Sequence, residues 1–142
     1  MALPAKLREM RVLLVLFALV GITVSTLALR VHYSTDVQPC DINAHWDCGI
    51  VNHSRYSVVH GVPVAAFGMA GYAVIALLAL MRRYGLALAA AIVGLAYSLY
   101  LTSIEARVLQ VWCLYCVISQ IIIAVITLLA VLAVFRYRSV RG

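Results

Sequence analysis

Along most of this chain hydrophobic residues do not alternate with polar ones; they run on. Four stretches, roughly Val12–Val31, Val62–Met81, Leu86–Ser103 and Cys113–Phe135, are almost wholly apolar. Each is close to the about 20 residues a helix needs to cross the hydrocarbon core of a bilayer. The breaks Arg82–Gly85 and Ile104–Trp112 are short, so the helices on either side of each run antiparallel. One longer interval, roughly residues 32–61, holds all four histidines and two of the four cysteines. The pattern predicts an all-α integral membrane protein. It is expected to be a four-transmembrane-helix bundle in one domain over residues 1–142, with a single external segment at about 32–61. Within that segment, GIVNHSRYSVVH after Cys48 alternates irregularly and is compatible with a short helix lying on the mouth of the bundle.

Two spans carry small residues at helical spacing. Gly61, Ala65, Gly68 and Tyr72 share one face of the second, and Ala90, Gly94 and Ser98 share one face of the third. Such stripes let a neighbouring helix, or a flat ligand, come close. Pro63 suits the first turn of the second helix, where a missing N–H costs nothing.

Composition agrees with this reading: 65% of residues are hydrophobic and mean hydropathy is +1.05, well above a soluble domain. A net charge of +6 invites a nucleic-acid partner, but the distribution argues otherwise. Lys6, Arg8, Arg11, Arg82, Arg83, Arg136, Arg138 and Arg141 flank the spans on one side, and Arg30, Arg55 and Arg107 on the other. That bias is a positive-inside signature. It predicts cytoplasmic N and C termini and no nucleic-acid partner. The first span follows basic residues, as a signal peptide does, but its apolar run is too long and no A-x-A site follows, so it is expected to be retained.

This orientation puts Cys40, Cys48, Cys113 and Cys116 on the side where disulfides persist. Cys113 and Cys116 lie at i and i+3 at the head of the fourth span, neighbours on one helix face, near enough for a disulfide. The free N–H groups of a helix start favour a thiolate there. Gln120, seven residues after Cys113, shares that face, with Ser119 beside it, and points to a polar-headed ligand. Cys40 and Cys48 bracket DINAHWD in a loop that is expected to be mobile and to meet a soluble partner. Two static disulfides would be the ordinary alternative, yet a bond within one helical turn constrains almost nothing. Zinc is a second alternative, through Cys40, His45, Cys48 and His53, but the spacing matches no strong zinc signature and no metal site is expected. A relay remains: an outer dithiol exchanges with a soluble protein and passes two electrons to the inner dithiol. With no nucleotide or haem motif in the chain, a membrane quinone reached from the lipid is the economical acceptor.

PCDINAHWDC, GVPVAAFGMAGY and YLTSIEARVLQVWCLYC together resemble the vitamin K epoxide reductase family. The loop pair comes first and the C-x-x-C on the last helix second, whereas the unrelated Dsb-type quinone-linked oxidase has the reverse order. The resemblance implies that Cys40 exchanges with a partner thiol oxidase, Cys48 attacks the inner disulfide at Cys113, and Cys116 faces the quinone. It also implies a quinone pocket at Ser54, Phe67, Tyr72, Tyr100, Leu101 and Gln120. Vertebrate members carry a tyrosine after the C-x-x-C where this chain has Gln120, and an asparagine before the Phe-Gly where it has Val64. Both departures weigh against vitamin K epoxide reduction, which stays as an alternative. The expected function is reoxidation of a periplasmic thioredoxin-fold (DsbA-like) thiol oxidase at a bacterial inner membrane. The acceptor would be a membrane quinone: ubiquinone, menaquinone or a vitamin K-type naphthoquinone. Many bacterial relatives continue into a fused thioredoxin-like domain; here the partner is expected to be a separate protein.

Overall fold

A computed structural model describes residues 5–141. Four long helices dominate it: α1 (Ala5–Tyr33), α3 (Val64–Leu80), α4 (Tyr84–Ile104) and α5 (Leu114–Arg141), with a short α2 (Cys48–Asn52) between the first two. They pack in a ring: α1 lies against α3 and α5, and α4 closes it by packing on α3 and α5. Large apolar side chains such as Leu16, Leu19, Leu77, Val93 and Leu128 point outward and are exposed, while Ala18, Ala79, Ala87, Ala91, Ala130 and Ala133 are buried between helices. This inverted arrangement suits a lipid exterior, where burial of apolar surface drives nothing and close backbone approach has to supply the packing. Hydroxyls inside the helices are satisfied locally: Thr23, Thr26 and Thr127 each donate to the carbonyl four residues back, the usual solution where no water is at hand.

Three of the helices, α1, α4 with its continuation to Leu109, and α5, are long and apolar enough to cross a membrane. The expected second span, 62–81, is shorter than the pattern implied, because α3 has 17 residues. Its first two positions are taken by a two-stranded hairpin, β1 (Val58–Val59) with β2 (Val62–Pro63). His60 and Gly61 both have positive φ, 50° and 82°, the backbone a tight two-residue hairpin turn demands. Pro63 therefore stands just before the helix, at φ −60° and ψ 138°, not within its first turn. At the other end of α3, Arg82 adopts φ 61° and the Arg83 N–H reaches back to the Leu78 carbonyl at 2.8 Å, closing the helix as left-handed caps do.

The small-residue stripe of α3 meets α1. A Cβ placed at Gly68 would lie 2.9 Å from the Ser25 hydroxyl, and one at Gly21 would lie 2.6 Å from the Tyr72 ring. On α4, Gly94 faces Ile123 of α5. Gly21 is thus the tightest contact, and Tyr72 has nowhere to retreat because its hydroxyl is tied to α5. Gly21→Ala should cost about 1–3 kcal/mol, the range for overpacking. Thermal unfolding of the detergent-solubilised protein reads this as a lowered midpoint. Gly85→Ala, with nothing within 4 Å of the added carbon, should leave the midpoint unchanged or raise it. Equal midpoints for the two variants would contradict the close α1–α3 approach.

Candidate active site

The segment between α1 and α3 is organised around one disulfide. Cys40 and Cys48 are bonded, with Cα atoms 5.8 Å apart. Asp41 holds both sides of the loop: its carboxylate accepts the Gln38 N–H at 2.7 Å and the Gly49 N–H at 3.0 Å. Although partial burial raises the Asp41 pKa, these N–H groups keep its carboxyl below the ordinary range, as donors to a charged form do. Asp47 caps α2 by accepting the Ile50 N–H at 3.0 Å, which is the role of an aspartate at that position. The loop is also bound to the chain just before α5: Asp47 N–H donates to the Trp112 carbonyl at 2.9 Å, and Trp112 N–H to the His45 carbonyl at 2.7 Å. The rings of Trp46 and Trp112 lie 6.3 Å apart over this bridge. The loop, expected to be mobile, is thus hydrogen-bonded to α2 and to the chain before α5.

That bridge sets the outer disulfide over the inner pair. Cys40, Cys48 and Cys113 are buried in one cluster with Val31, Val51 and Val111, and Cys116 packs against it. Cys113 and Cys116 are free thiols. The Cys113 carbonyl accepts the Val117 N–H at 3.0 Å, so this cysteine stands at the threshold of α5 as the spacing predicted.

Two residues that the sequence did not single out complete the junction. Asn52, the last residue of α2, is buried and donates its amide both to the Cys48 carbonyl at 2.9 Å and to the Cys113 sulfur at 3.4 Å. Its own carbonyl accepts from His32 Nδ1 at 2.6 Å, tying α1 to α2 and requiring the proton on that ring nitrogen. Glu105 is 3% exposed, and its carboxylate accepts the Cys113 N–H at 3.3 Å. It opens a five-residue π-helical turn, Glu105–Leu109, that carries α4 onward until Gln110 ends it at φ 54°. The available signals were faint: an amide one helical turn after Cys48, and an acid ending the apolar run of the third span.

Below the thiols, the four long helices enclose a cavity of about 820 Å³, within the usual range for small-molecule sites. Of the expected pocket residues, Ser54, Phe67, Tyr72 and Leu101 line it, as do Cys116, Gly68, Gly94 and Ser98. The small-residue stripes thus serve a hollow as well as helix packing. Tyr100 and Gln120 are placed elsewhere. Tyr100 is half exposed beside Tyr97, and the Gln120 amide oxygen accepts the Thr102 hydroxyl. The polar group that faces the cavity beneath the dithiol is instead Ser119. Its carbonyl accepts the Tyr72 hydroxyl at 2.9 Å, and its own hydroxyl lies 2.7 Å away from the same oxygen. A shift of one residue on a helix turns a side chain by about 100°, enough to exchange a cavity position for a helix–helix contact.

The zinc arrangement loses two of its four positions, because Cys40 and Cys48 are bonded to each other. No group of three His, Cys, Asp or Glu side chains with metal-binding geometry occurs among the described residues.

No curated protein matches the chain. The family model described as the Vitamin K epoxide reductase family matches residues 12–131, a range that includes all four cysteines, Asn52, Glu105 and the cavity. A buried and a partly buried thiol beside an outer disulfide, at the wall of a mostly apolar hollow in an integral membrane bundle, agree with the quinone-linked thiol–disulfide chemistry of that family. The chain belongs to the vitamin K epoxide reductase family and is a membrane oxidoreductase.

Proposed function

We propose that the protein is a four-span, quinone-dependent thiol–disulfide oxidoreductase of a bacterial inner membrane. Its cysteines face the periplasm, and it reoxidises a thioredoxin-fold, DsbA-like thiol oxidase. The observation that carries this reading is the line of four sulfurs: Cys40 and Cys48 in the loop, Cys113 buried against them, Cys116 at the cavity wall. An α3 of 17 residues is at the short end of what a bilayer accepts, which supports four crossings. The basic residues at the far ends of the helices support cytoplasmic termini.

The exchange steps follow from thiolate chemistry. A thiolate of the reduced partner attacks Cys40, the Cys40–Cys48 bond breaks, and Cys48 leaves as a thiolate. The partner's second thiol then attacks the mixed disulfide, so the partner departs oxidised and Cys40 is left reduced. Cys48 attacks Cys113 of the inner pair in its disulfide form, expelling Cys116. Cys40 closes on Cys48 and frees Cys113. The result is an outer disulfide above an inner dithiol, the same state that the structure holds. Asn52, in contact with both Cys48 and Cys113, supplies a donor to the sulfur that is attacked and later released; hydrogen bonds to charged groups are the stronger kind.

A quinone in the cavity supplies the two-electron, two-proton acceptor that returns the inner pair to a disulfide. The residues fit such a molecule. The walls are mostly apolar, Cys116 opens on the space, and Tyr72 with Ser119 gives it a polar spot. Ubiquinone, menaquinone and a vitamin K-type naphthoquinone all share the ring this space suits. Val64, where vertebrate members have asparagine, lines the cavity with an apolar side chain, and Gln120, which is not among the lining residues, is engaged by Thr102. Both favour quinone reduction over epoxide reduction.

Two measurements test this. Mixed with a reduced thioredoxin-fold oxidase and a quinone, the protein should form quinol, and Cys113→Ser should lower the rate by about a hundredfold or more, as loss of a nucleophile does. Quinol formation undiminished in Cys113→Ser would sink the relay. Separately, Cys116→Ala purified without reductant should accumulate a Cys48–Cys113 bond, found by digestion and mass spectrometry. Recovery of Cys113 only as a free thiol, with Cys40–Cys48 always closed, would leave the pairs as independent staples.

A further inference from the structure

Glu105 is a buried acid that the exchange steps leave unused. It accepts the Cys113 N–H, and it lines the cavity together with Cys116. Glu105 ends the regular part of α4, its N–H still on the Leu101 carbonyl at φ −58° and ψ −43°, and the π-helical turn that follows carries the chain on toward the head of α5; such turns recur at functional sites. The residues that share the cavity wall with it include no lysine, arginine or histidine. Asn52 on α2 is neutral, Tyr115 shares the cavity wall, and Arg107 on its own turn is exposed. An unpaired acid in so dry a place is costly to keep and adds little to packing.

We propose that Glu105 is the proton carrier of the inner pair. It takes the proton from the Cys116 thiol as the pair is oxidised and hands it across the cavity wall to the acceptor. Closing the Cys113–Cys116 bond breaks two S–H bonds and releases two electrons and two protons, all of which pass to the quinone and form quinol. The carboxylate ends each transfer as it began, so it carries the two protons in succession. One carboxylate oxygen accepts the Cys113 N–H, which orients the carboxyl, and Glu105 shares the cavity wall with Cys116. This inference rests on the quinone-linked reading above.

The test uses the full chain in lipid nanodiscs with a short-chain quinone. Wild type is measured first, and absence of quinol would overturn the proposed function and this inference with it. Given wild-type activity, Glu105→Gln keeps an oxygen for the Cys113 N–H but cannot carry a proton. Single-turnover quinol formation should fall about tenfold or more, the scale of a lost acid–base group, and should lose its dependence on pH across the neutral range. Reduction of the inner disulfide by dithiothreitol without quinone should stay near the wild-type rate. Glu105→Asp should restore part of the quinol rate. Wild type itself should slow in deuterated buffer in the quinol step more than in the dithiothreitol step, a readout that does not depend on any variant folding. An unchanged quinol rate and pH profile in Glu105→Gln, or equal slowing of both steps, or equal isotope effects in wild type, would each overturn the proposal.

Discussion

Everything the site can do depends on a short run of backbone pairing at the mouth of the bundle. Asp47 and Trp112 share one hydrogen bond, and Trp112 and His45 the next. These few bonds join a polar loop to the start of an apolar helix. Without them the outer disulfide would be an ornament on a loop, and Cys113 would stand at a helix end open to water. With them, Cys48 and Cys113 are buried in the same cluster, and Asn52 bridges the two. Two tryptophans cover the seam, large amphipathic rings of the kind that settle where protein, water and lipid meet. The loop is then a roof under which thiols stay dry, and its own acids tie it down: Asp41 and Asp47 spend their oxygens on loop N–H groups.

Below this roof the bundle has to satisfy two opposed demands. Helices in lipid associate through close backbone contact, which favours glycine, alanine and serine. A ligand site between them requires space. The chain meets both along the same stripes. Gly21 and Gly68 draw α1 and α3 together, with the Tyr72 ring and the Ser25 hydroxyl filling the contact, while further along the same faces Gly68, Gly94 and Ser98 border the cavity. Tyr72 belongs to both regions: its ring packs against Gly21 and its hydroxyl reaches Ser119 on α5. A single side chain therefore links the tightest helix contact to the polar spot of the hollow.

Much of this was legible from spacing. Long apolar runs, short basic turns and the i, i+3 cysteines required little more than helix geometry; a long helix covers all or nearly all of each apolar run, with α1 starting earlier and α5 ending later than the run itself. The exceptions have local causes. The second span lost its start to a hairpin because His60 and Gly61 accept positive φ, a turn signal weaker than Asn-Gly. Gln120 was read onto the face of the dithiol from its i+7 offset; one residue of helical rotation gives the cavity to Ser119 and turns Gln120 to Thr102. Asn52 and Glu105 were illegible for a different reason. Their roles come from chain segments distant in sequence, brought together by the Trp46–Trp112 pairing and by a π turn, and neither event has a periodicity to read.

The end of α4 is where the acid and the thiol meet. Glu105 still follows the regular helix, its N–H on the Leu101 carbonyl, and from there its carboxylate accepts the Cys113 N–H, while the π turn carries the chain onward. Gln110 then breaks the helix in a left-handed conformation, so that Trp112 can pair with the loop and Cys113 can begin α5. The π turn and Gln110 thus join three things along one short segment: the acid that ends the regular part of α4, the backbone that seals the roof, and the first thiol of the inner pair. Because all three share this hinge in the chain, the thiols can be shut away from water and still keep a proton-exchanging group in contact with them.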